Sequence, residues 1–328
     1  MIITVLGGGS WGTAMAVHLA QMGHQLRLYV RSEIKAKQIR KTRRNSDYLG
    51  DIYLPENIFV CSSVEQALSG AQLIIGAIPA QAMESFYKEN CGALEGLPYV
   101  SLSKGITNDK LETMEQLYKR YYPQGLFAAL SGPSHAEEVA RKVPTALVVA
   151  GDDEAFTKLV QHEFSNEFIR IYRSDDVLGV ELSGAFKNVI ALVVGMAVGC
   201  GLGDNTKAAL MTRGMAEILR LALAMGAKQE TFLGLSGFGD LIVTCTSNYS
   251  RNRRAGELLA QGYSEEEVKN KVGMVIEGLS TLRSVIRLAK DYHQSMPIAE
   301  TLERVISGNL PIDEAMKELM MRDYKEEI

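Results

Sequence analysis

Residues 1–23, MIITVLGGGSWGTAMAVHLAQMG, constrain the fold more than any other stretch of the chain. Ile2 to Leu6 is a continuous β-branched and apolar run, the pattern of a strand buried on both faces. Gly7, Gly9 and Gly12 follow as G-x-G-x-x-G, and Trp11, Met15, Val17, Leu19 and Met22 then recur at roughly helical spacing until Gly23 supplies a stop. Strand, glycine turn and helix in that order make an anion site. Gly7 serves the tight turn, Gly9 the close approach of a pyrophosphate, and Gly12 the packing of helix on strand. The amides of Ser10 and Trp11 then face the phosphates. An ordinary tight turn is the plainer use of such glycines. A secretory signal is the other alternative, but the stretch has no cationic start and carries three glycines where the apolar core should be.

The next strand, Gln25 to Val30, ends at Arg31. This is the strand end, about 20 positions past the glycines, that meets the adenosine ribose in a dinucleotide fold. An acid there would bind a 2′-hydroxyl, whereas Arg31 pairs with a 2′-phosphate, which favours NADP over NAD. A solvated strand-end arginine is the alternative reading. Further strands are expected at 58–61, 72–78, 99–102, 126–130, 145–150 and 169–172, separated by helical segments that begin with the charged stretch 33–44. This alternation predicts a largely parallel, doubly wound α/β sheet with ligands beyond the carboxyl ends of its strands. Lys104 and the loop from Gly132 to Ala136 lie at such ends.

From Asp175 onward helical periodicity replaces the strand pattern, and Ser264 with Glu267 forms a capping signal. A length of 328 residues exceeds one ordinary core. The expected organisation is therefore a nucleotide-binding Rossmann-type domain over 1–175 and an all-α domain over 176–328, ending in a mobile tail at RDYKEEI. The apolar stretch from Val189 to Leu202 is broken by glycines and shorter than the ~20 residues of a membrane span, so it reads as a buried core helix. A net charge of -4 argues against a nucleic-acid partner. Cys61, Cys91, Cys200 and Cys245 are widely spaced and read as reduced, buried thiols of a cytoplasmic protein, with no metal site.

Lys187 stands in SGAFKNVIALVVG, a segment otherwise nearly free of charge. Burial would lower the pKa of such an ammonium toward the range useful for proton transfer, although a lysine snorkelling from a helix end is the ordinary case. In SGFGDLIVTCTSNYSRNRRAG, Gly237 and Gly239 bracket a turn before Asp240, and Ser250, Arg251, Asn252, Arg253 and Arg254 form a polar cluster before a helix. Arginine forks with short donors beside them suit a small phosphate, and a solvated basic helix start is the alternative. His135, after Ser134, is the only histidine near these segments.

Taken together, GGGSWGTA, SLSKG, SGPSHAEEVA, SGAFKNVIA, GFGDLIVTCTSNYSRNRR and MVIEG, in this order from residue 1 to about 310, resemble the bacterial NAD(P)-dependent glycerol-3-phosphate dehydrogenases. The resemblance implies reduction of dihydroxyacetone phosphate to sn-glycerol 3-phosphate for glycerophospholipid synthesis, with NADP as cofactor and NAD as its alternative. It makes Lys187 the catalytic proton donor and acceptor. Lys104 would reach both substrate and nicotinamide ribose, with Gly132, Ser134, Asp240, Ser250, Arg251 and Asn252 around the substrate. Ser10, Trp11, Arg31, Tyr48, Ala136, Val275 and Glu277 match positions on the cofactor side, as does Arg251 in its second role. Ser32 stands where the family often carries a second basic residue. The implied partners are a small phosphorylated three-carbon substrate and a second copy in a homodimer. Two other functions use the same features: an NADP-dependent reductase of another small phosphorylated or 2-keto acid, and a non-catalytic NADP-sensing regulator.

Overall fold

The computed structural model describes residues 1–322 and 326, so the tail expected at 322–328 falls largely outside the described residues. Its strands are β1 (Ile2–Leu6), β2 (Gln25–Tyr29), β3 (Ile58–Cys61), β4 (Leu73–Gly76), β5 (Tyr99–Ser101), β6 (Phe127–Ser131), β7 (Thr145–Ala150) and β8 (Ile169–Ser174). They form one sheet in the order β3-β2-β1-β4-β5-β6-β7-β8. All neighbours pair in parallel except β6 and β7, which are antiparallel. The chain reverses its direction of travel across the sheet at β1, leaving β2 on one side and β4 on the other. That switch point is where open α/β sheets bind ligands.

Both faces of the sheet are covered. Ile3 and Val5 pack in one apolar cluster with Leu26, Leu28 and Ile75, while Leu6 packs in a second with Ile74, Tyr99 and Phe127. Two-sided burial is the reason these strands read as unbroken apolar runs and not as alternating ones. The one polar residue inside β1, Thr4, is fully buried and donates its hydroxyl to the carbonyl of Ala67.

The helices accompanying the sheet are α1 (Ser10–Gln21), α2 (Glu33–Thr42), α3 (Ser46–Leu49), α4 (Val64–Leu68), α5 (Ala80–Glu89), α6 (Met114–Tyr121), α7 (Ala136–Ala140) and α8 (Glu154–Phe164). Among the described residues every element after β8 is helical: α9 (Val177–Gly199), α10 (Asp204–Ala224), α11 (Gln229–Leu233), a π-helical turn over Leu235–Gly239, α12 (Asp240–Thr246), α13 (Arg251–Ala260), α14 (Glu265–Val272), α15 (Glu277–Asp291), α16 (Pro297–Ile306) and α17 (Ile312–Met320). Two compact units result. The first holds Met1–Gly184 and Glu230–Asp240, the second Ala185–Gln229 and Leu241–Ile328. α9 thus contributes its beginning to the first unit and its remainder to the second.

α9 is longer than its apolar stretch suggested. It begins at Val177, so by length and composition alone it could cross a membrane, yet 94% of its most apolar window is buried inside the protein. Its glycines serve packing. A Cβ at Gly195 would lie 2.0 Å from the carbonyl oxygen of Arg253, and one at Gly256 would lie 2.1 Å from that of Leu192, so α9 and α13 cross at backbone distance. Among the cysteines, Cys61 and Cys245 are buried as expected, but Cys91 and Cys200 are exposed; all four are free thiols.

Buried carboxyls cap two helices. In the first unit Glu181 accepts from the amide of Glu115 at 3.1 Å, at the start of α6. In the second, both oxygens of Glu217 accept from the amide of Ile298 at 3.0 Å, at the start of α16. Burial raises the carboxyl of Glu181 to about 8 and that of Glu217 to about 7, against the pull of these hydrogen bonds. Between its ordinary 4.5 and about 8, Glu181 keeps its proton in the folded chain and loses it in the unfolded one. The folded state then binds more protons, so this contribution to stability is full at low pH and is lost as pH rises through that window. Glu181→Gln should therefore flatten the fall of melting temperature between pH 4.5 and 8, as measured by calorimetry against the unchanged chain. An unaltered slope would show that Glu181 is ionised when folded.

Candidate active site

The glycine loop has the geometry its spacing required. Gly7 sits at φ +117°, a conformation that side chains other than hydrogen rarely adopt, and a Cβ there would lie 2.6 Å from the Ala77 carbonyl oxygen. A Cβ at Gly12 would lie 2.1 Å from the Gly7 carbonyl oxygen, whereas one at Gly9 would meet nothing within 4 Å. The close packing at Gly7 and Gly12 and the empty space at Gly9 form a cradle that only glycines leave open to a pyrophosphate.

The electrostatics match. α1 starts behind Gly9 with no side-chain cap from that residue and with no acid in its first turn, so its positive end suits an anion. Trp11, in that turn, has a buried indole Nε1 without a hydrogen-bond partner. Tyr48 lies close by in α3, where its carbonyl accepts from Ser10 Oγ at 3.3 Å and Lys35 Nζ stands 5.4 Å from its ring. Arg31 is exposed just past the end of β2. These residues fit a dinucleotide.

A second cluster of the first unit gathers Lys104, Gly132, Ser134 and Asp240. Lys104 follows β5, and Gly132 and Ser134 follow β6, so parallel register brings both loops to the same end of the sheet. Lys104 Nζ donates to Asp240 Oδ2 at 2.7 Å and to the Gly132 carbonyl at 3.2 Å, and Ser134 Oγ donates to that same carbonyl at 2.9 Å. Asp240 is 1% exposed. The segment before it is a π-helical turn leading directly into α12, where a simple glycine turn was expected. Ser131 Oγ, at the end of β6, is buried without a partner and would stand 2.9 Å from a Cβ at Gly184. Ala136 is the buried first residue of α7, behind His135 as its N-cap.

The second unit holds Lys187. It is 5% exposed, and its ammonium donates to Thr244 Oγ1 at 2.6 Å. Thr244 was not singled out from the sequence; the available signal was its place four residues after Asp240 on a helix. Next to Lys187, the amide of Asn188 donates to Glu277 Oε2 at 3.4 Å, and Asn188 Oδ1 accepts from Asn252 Nδ2 at 2.9 Å. Asn252 in turn accepts from the Gly278 amide at 2.9 Å, which ties the starts of α13 and α15 to α9.

The polar cluster 250–254 opens α13 itself. Ser250 is its N-cap, accepting from the amide of Arg253, and Arg253 pairs with Glu257 at 2.9 Å. Arg251 is the half-buried first residue of that helix, and Val275 is 48% exposed ahead of α15. Ser250 and Asn252 thus already hold the local fold.

Removing one partner of a buried ion pair leaves an uncompensated charge. Asp240→Ala should accordingly cost ~3 kcal/mol in urea denaturation, with Asp240→Asn losing less because its amide oxygen still accepts from Lys104. Equal stability of Asp240→Ala and the unchanged chain would mean that the pair is solvated.

The comparisons agree with this geometry. Residues 2–157 match the family model described as NAD-dependent glycerol-3-phosphate dehydrogenase N-terminus, and residues 176–317 match the one described as its C-terminus. Glycerol-3-phosphate dehydrogenase [NAD(P)+] of Thermoanaerobacter sp. (strain X514) is 45% identical over 100% of this chain and 99% of its own. The protein of the same name from Moorella thermoacetica is 46% identical over 99% of this chain and 97% of its own. The crystal structure of glycerol-3-phosphate dehydrogenase from Coxiella burnetii superposes with a TM-score of 0.95 at 34% identity, covering 98% of this chain and 99% of that one. Matched along its whole length in sequence and backbone, with the glycine cradle intact, the chain belongs to the NAD-dependent glycerol-3-phosphate dehydrogenase family.

Proposed function

We propose that this chain reduces dihydroxyacetone phosphate to sn-glycerol 3-phosphate, using NADPH with NADH as the alternative, and so supplies glycerophospholipid synthesis. The observation that carries the reading is the buried Lys187 ammonium held on the hydroxyl of Thr244. A cation so placed serves a reaction in which negative charge develops on a ketone oxygen. The names of the relatives, all glycerol-3-phosphate dehydrogenases of the [NAD(P)+] type, support substrate and cofactor class together.

When bound, the nicotinamide supplies the hydride for the ketone carbon. In the proposed division of roles, Gly7, Gly9, Ser10, Trp11, Gly12, Arg31, Tyr48, Lys104, Ala136, Arg251, Val275 and Glu277 hold the cofactor. Lys187 stabilises the developing oxyanion and gives it a proton. Thr244 keeps the Lys187 Nζ in place through its hydroxyl. Lys104, steadied by Asp240, binds substrate together with Gly132, Ser134, Ser250, Arg251 and Asn252, and Arg251 provides the fork for the phosphate. Binding energy gathered at the phosphate orients the carbonyl. Arg31 pairs with the 2′-phosphate of NADPH. We propose a boundary at 175, with a cofactor-binding domain before it and a helical catalytic domain after it. Free thiols at all four cysteines support a cytoplasmic setting, and family membership supports a homodimer.

The test follows NADPH oxidation with dihydroxyacetone phosphate, with unphosphorylated dihydroxyacetone, 2-keto acids and NADH as comparisons. Turnover that requires the phosphate is expected, and Arg31→Ala should raise the KM for NADPH while sparing that for NADH. Lys187→Ala should lower kcat about a thousandfold with NADPH affinity retained. Turnover of a 2-keto acid alone would reassign the substrate. NADPH binding without any turnover would make the chain a sensor.

A further inference from the structure

Asn45 lies in the crossover between β2 and β3 and is 3% exposed. Its Nδ2 donates to the carbonyl of Gly8 at 2.9 Å and to Thr13 Oγ1 at 2.8 Å. One acceptor is in the middle of the glycine loop and the other in the first turn of α1. The crossover that carries Asn45 is braced. Arg43, in the left-handed region at φ 52°, donates from Nε to the Leu54 carbonyl at 3.2 Å, from Nη1 to that of Ile58 at 3.0 Å, and from Nη2 to that of Pro55. The amide of Leu54 closes the bracket by donating to the Arg43 carbonyl at 2.8 Å.

The peptide that Asn45 grips joins Gly8 to Gly9, two residues without a Cβ. Such a peptide can rotate about its flanking bonds at little steric cost. Its carbonyl and amide point in opposite directions because the unit is planar and trans. Holding the Gly8 carbonyl on the crossover therefore turns the Gly9 amide away from it. Rotated the other way, the same peptide would present a carbonyl dipole to a phosphate and repel it.

The geometry points to Asn45 as a positioning residue of the cofactor site: it locks the Gly8–Gly9 peptide so that the Gly9 amide is available to the pyrophosphate. The inference rests on the dinucleotide role assigned above to the glycine loop. Thr13, fully buried, accepts the second hydrogen of the same amide.

The experiment measures NADPH affinity by fluorescence titration without substrate, alongside steady-state kinetics, for the unchanged protein, Asn45→Asp, Asn45→Ala and Thr13→Val. Asn45→Asp keeps the shape and replaces the donor by a carboxylate facing the Gly8 carbonyl. It should raise the Kd for NADPH about 30-fold at pH 8, with kcat at saturating NADPH and the KM for dihydroxyacetone phosphate within about threefold. Lowering the pH protonates the introduced carboxyl and restores a donor, so affinity relative to the unchanged protein should recover. Asn45→Ala should show the same KM-against-kcat split without that recovery, which keeps the test available should Asn45→Asp fail to fold. Thr13→Val leaves the Gly8 bond in place and should raise the Kd by no more than about threefold. Unaltered NADPH affinity in both Asn45 variants overturns the inference, as does an equal loss in Thr13→Val or a parallel fall in kcat. If the unchanged protein itself binds neither NADPH nor NADH, the cofactor reading fails first and takes the inference with it.

Discussion

The uncapped amino end of α1 is the constraint on which the first unit depends. A helix start leaves amides without partners, and most helices satisfy some of them with a Ser, Thr, Asp or Asn side chain. Here the capping position is Gly9, which has no side chain to offer. The loop before α1 is kept tight by Gly7 at positive φ, and α1 is kept close by Gly12 against the Gly7 carbonyl. The adjacent crossover is tied to the same loop from outside, by Asn45 on Gly8 and by Tyr48 on Ser10. The parallel strands on either side of β1 then place this helix end at the switch point of the sheet.

A second theme is the burial of ionisable groups beside backbone or hydroxyl partners. Glu181 and Glu217 cap α6 and α16 from within the core, Asp240 holds Lys104, and Thr244 holds Lys187. For the two capping carboxyls the hydrogen bonds offset the lost solvation only in part, which is why both are raised so far from the ordinary carboxylate range. The caps and the catalytic candidates follow the same physics. What separates them is the partner: backbone amides finish a helix, while each lysine is held by a side chain of its own unit.

Much of the fold was legible because its signals are local. β1, β3 and β7 begin and end where their apolar runs do, and the capping box at Ser264 and Glu267 is present as its spacing indicates. The cofactor loop was legible for the same reason, since three glycines at fixed spacing encode one backbone path. Legibility fell where long-range pairing decides. The antiparallel join of β6 and β7 has no mark in either strand, and the exposure of Cys91 and Cys200 depends on what packs around them. The partners of Ser250 and Asn252 were not legible either: the one caps α13 and the other bridges Asn188 and Gly278.

The sequence by itself determined the alternation of strands and helices, the glycine cradle, the change to an all-helical pattern after β8, the strand-end place of Lys104 and the weakly charged surroundings of Lys187. These are properties of neighbours along the chain, governed by side-chain periodicity and backbone sterics. Only the tertiary structure decided which partner each buried polar group takes: Asp240 for Lys104, Thr244 for Lys187, Gly8 and Thr13 for Asn45. Those partners lie 136, 57, 37 and 32 positions away in the chain. The physical reason is that a hydrogen bond needs two groups within about 3 Å of each other, and over such separations only the packing of whole elements sets that distance.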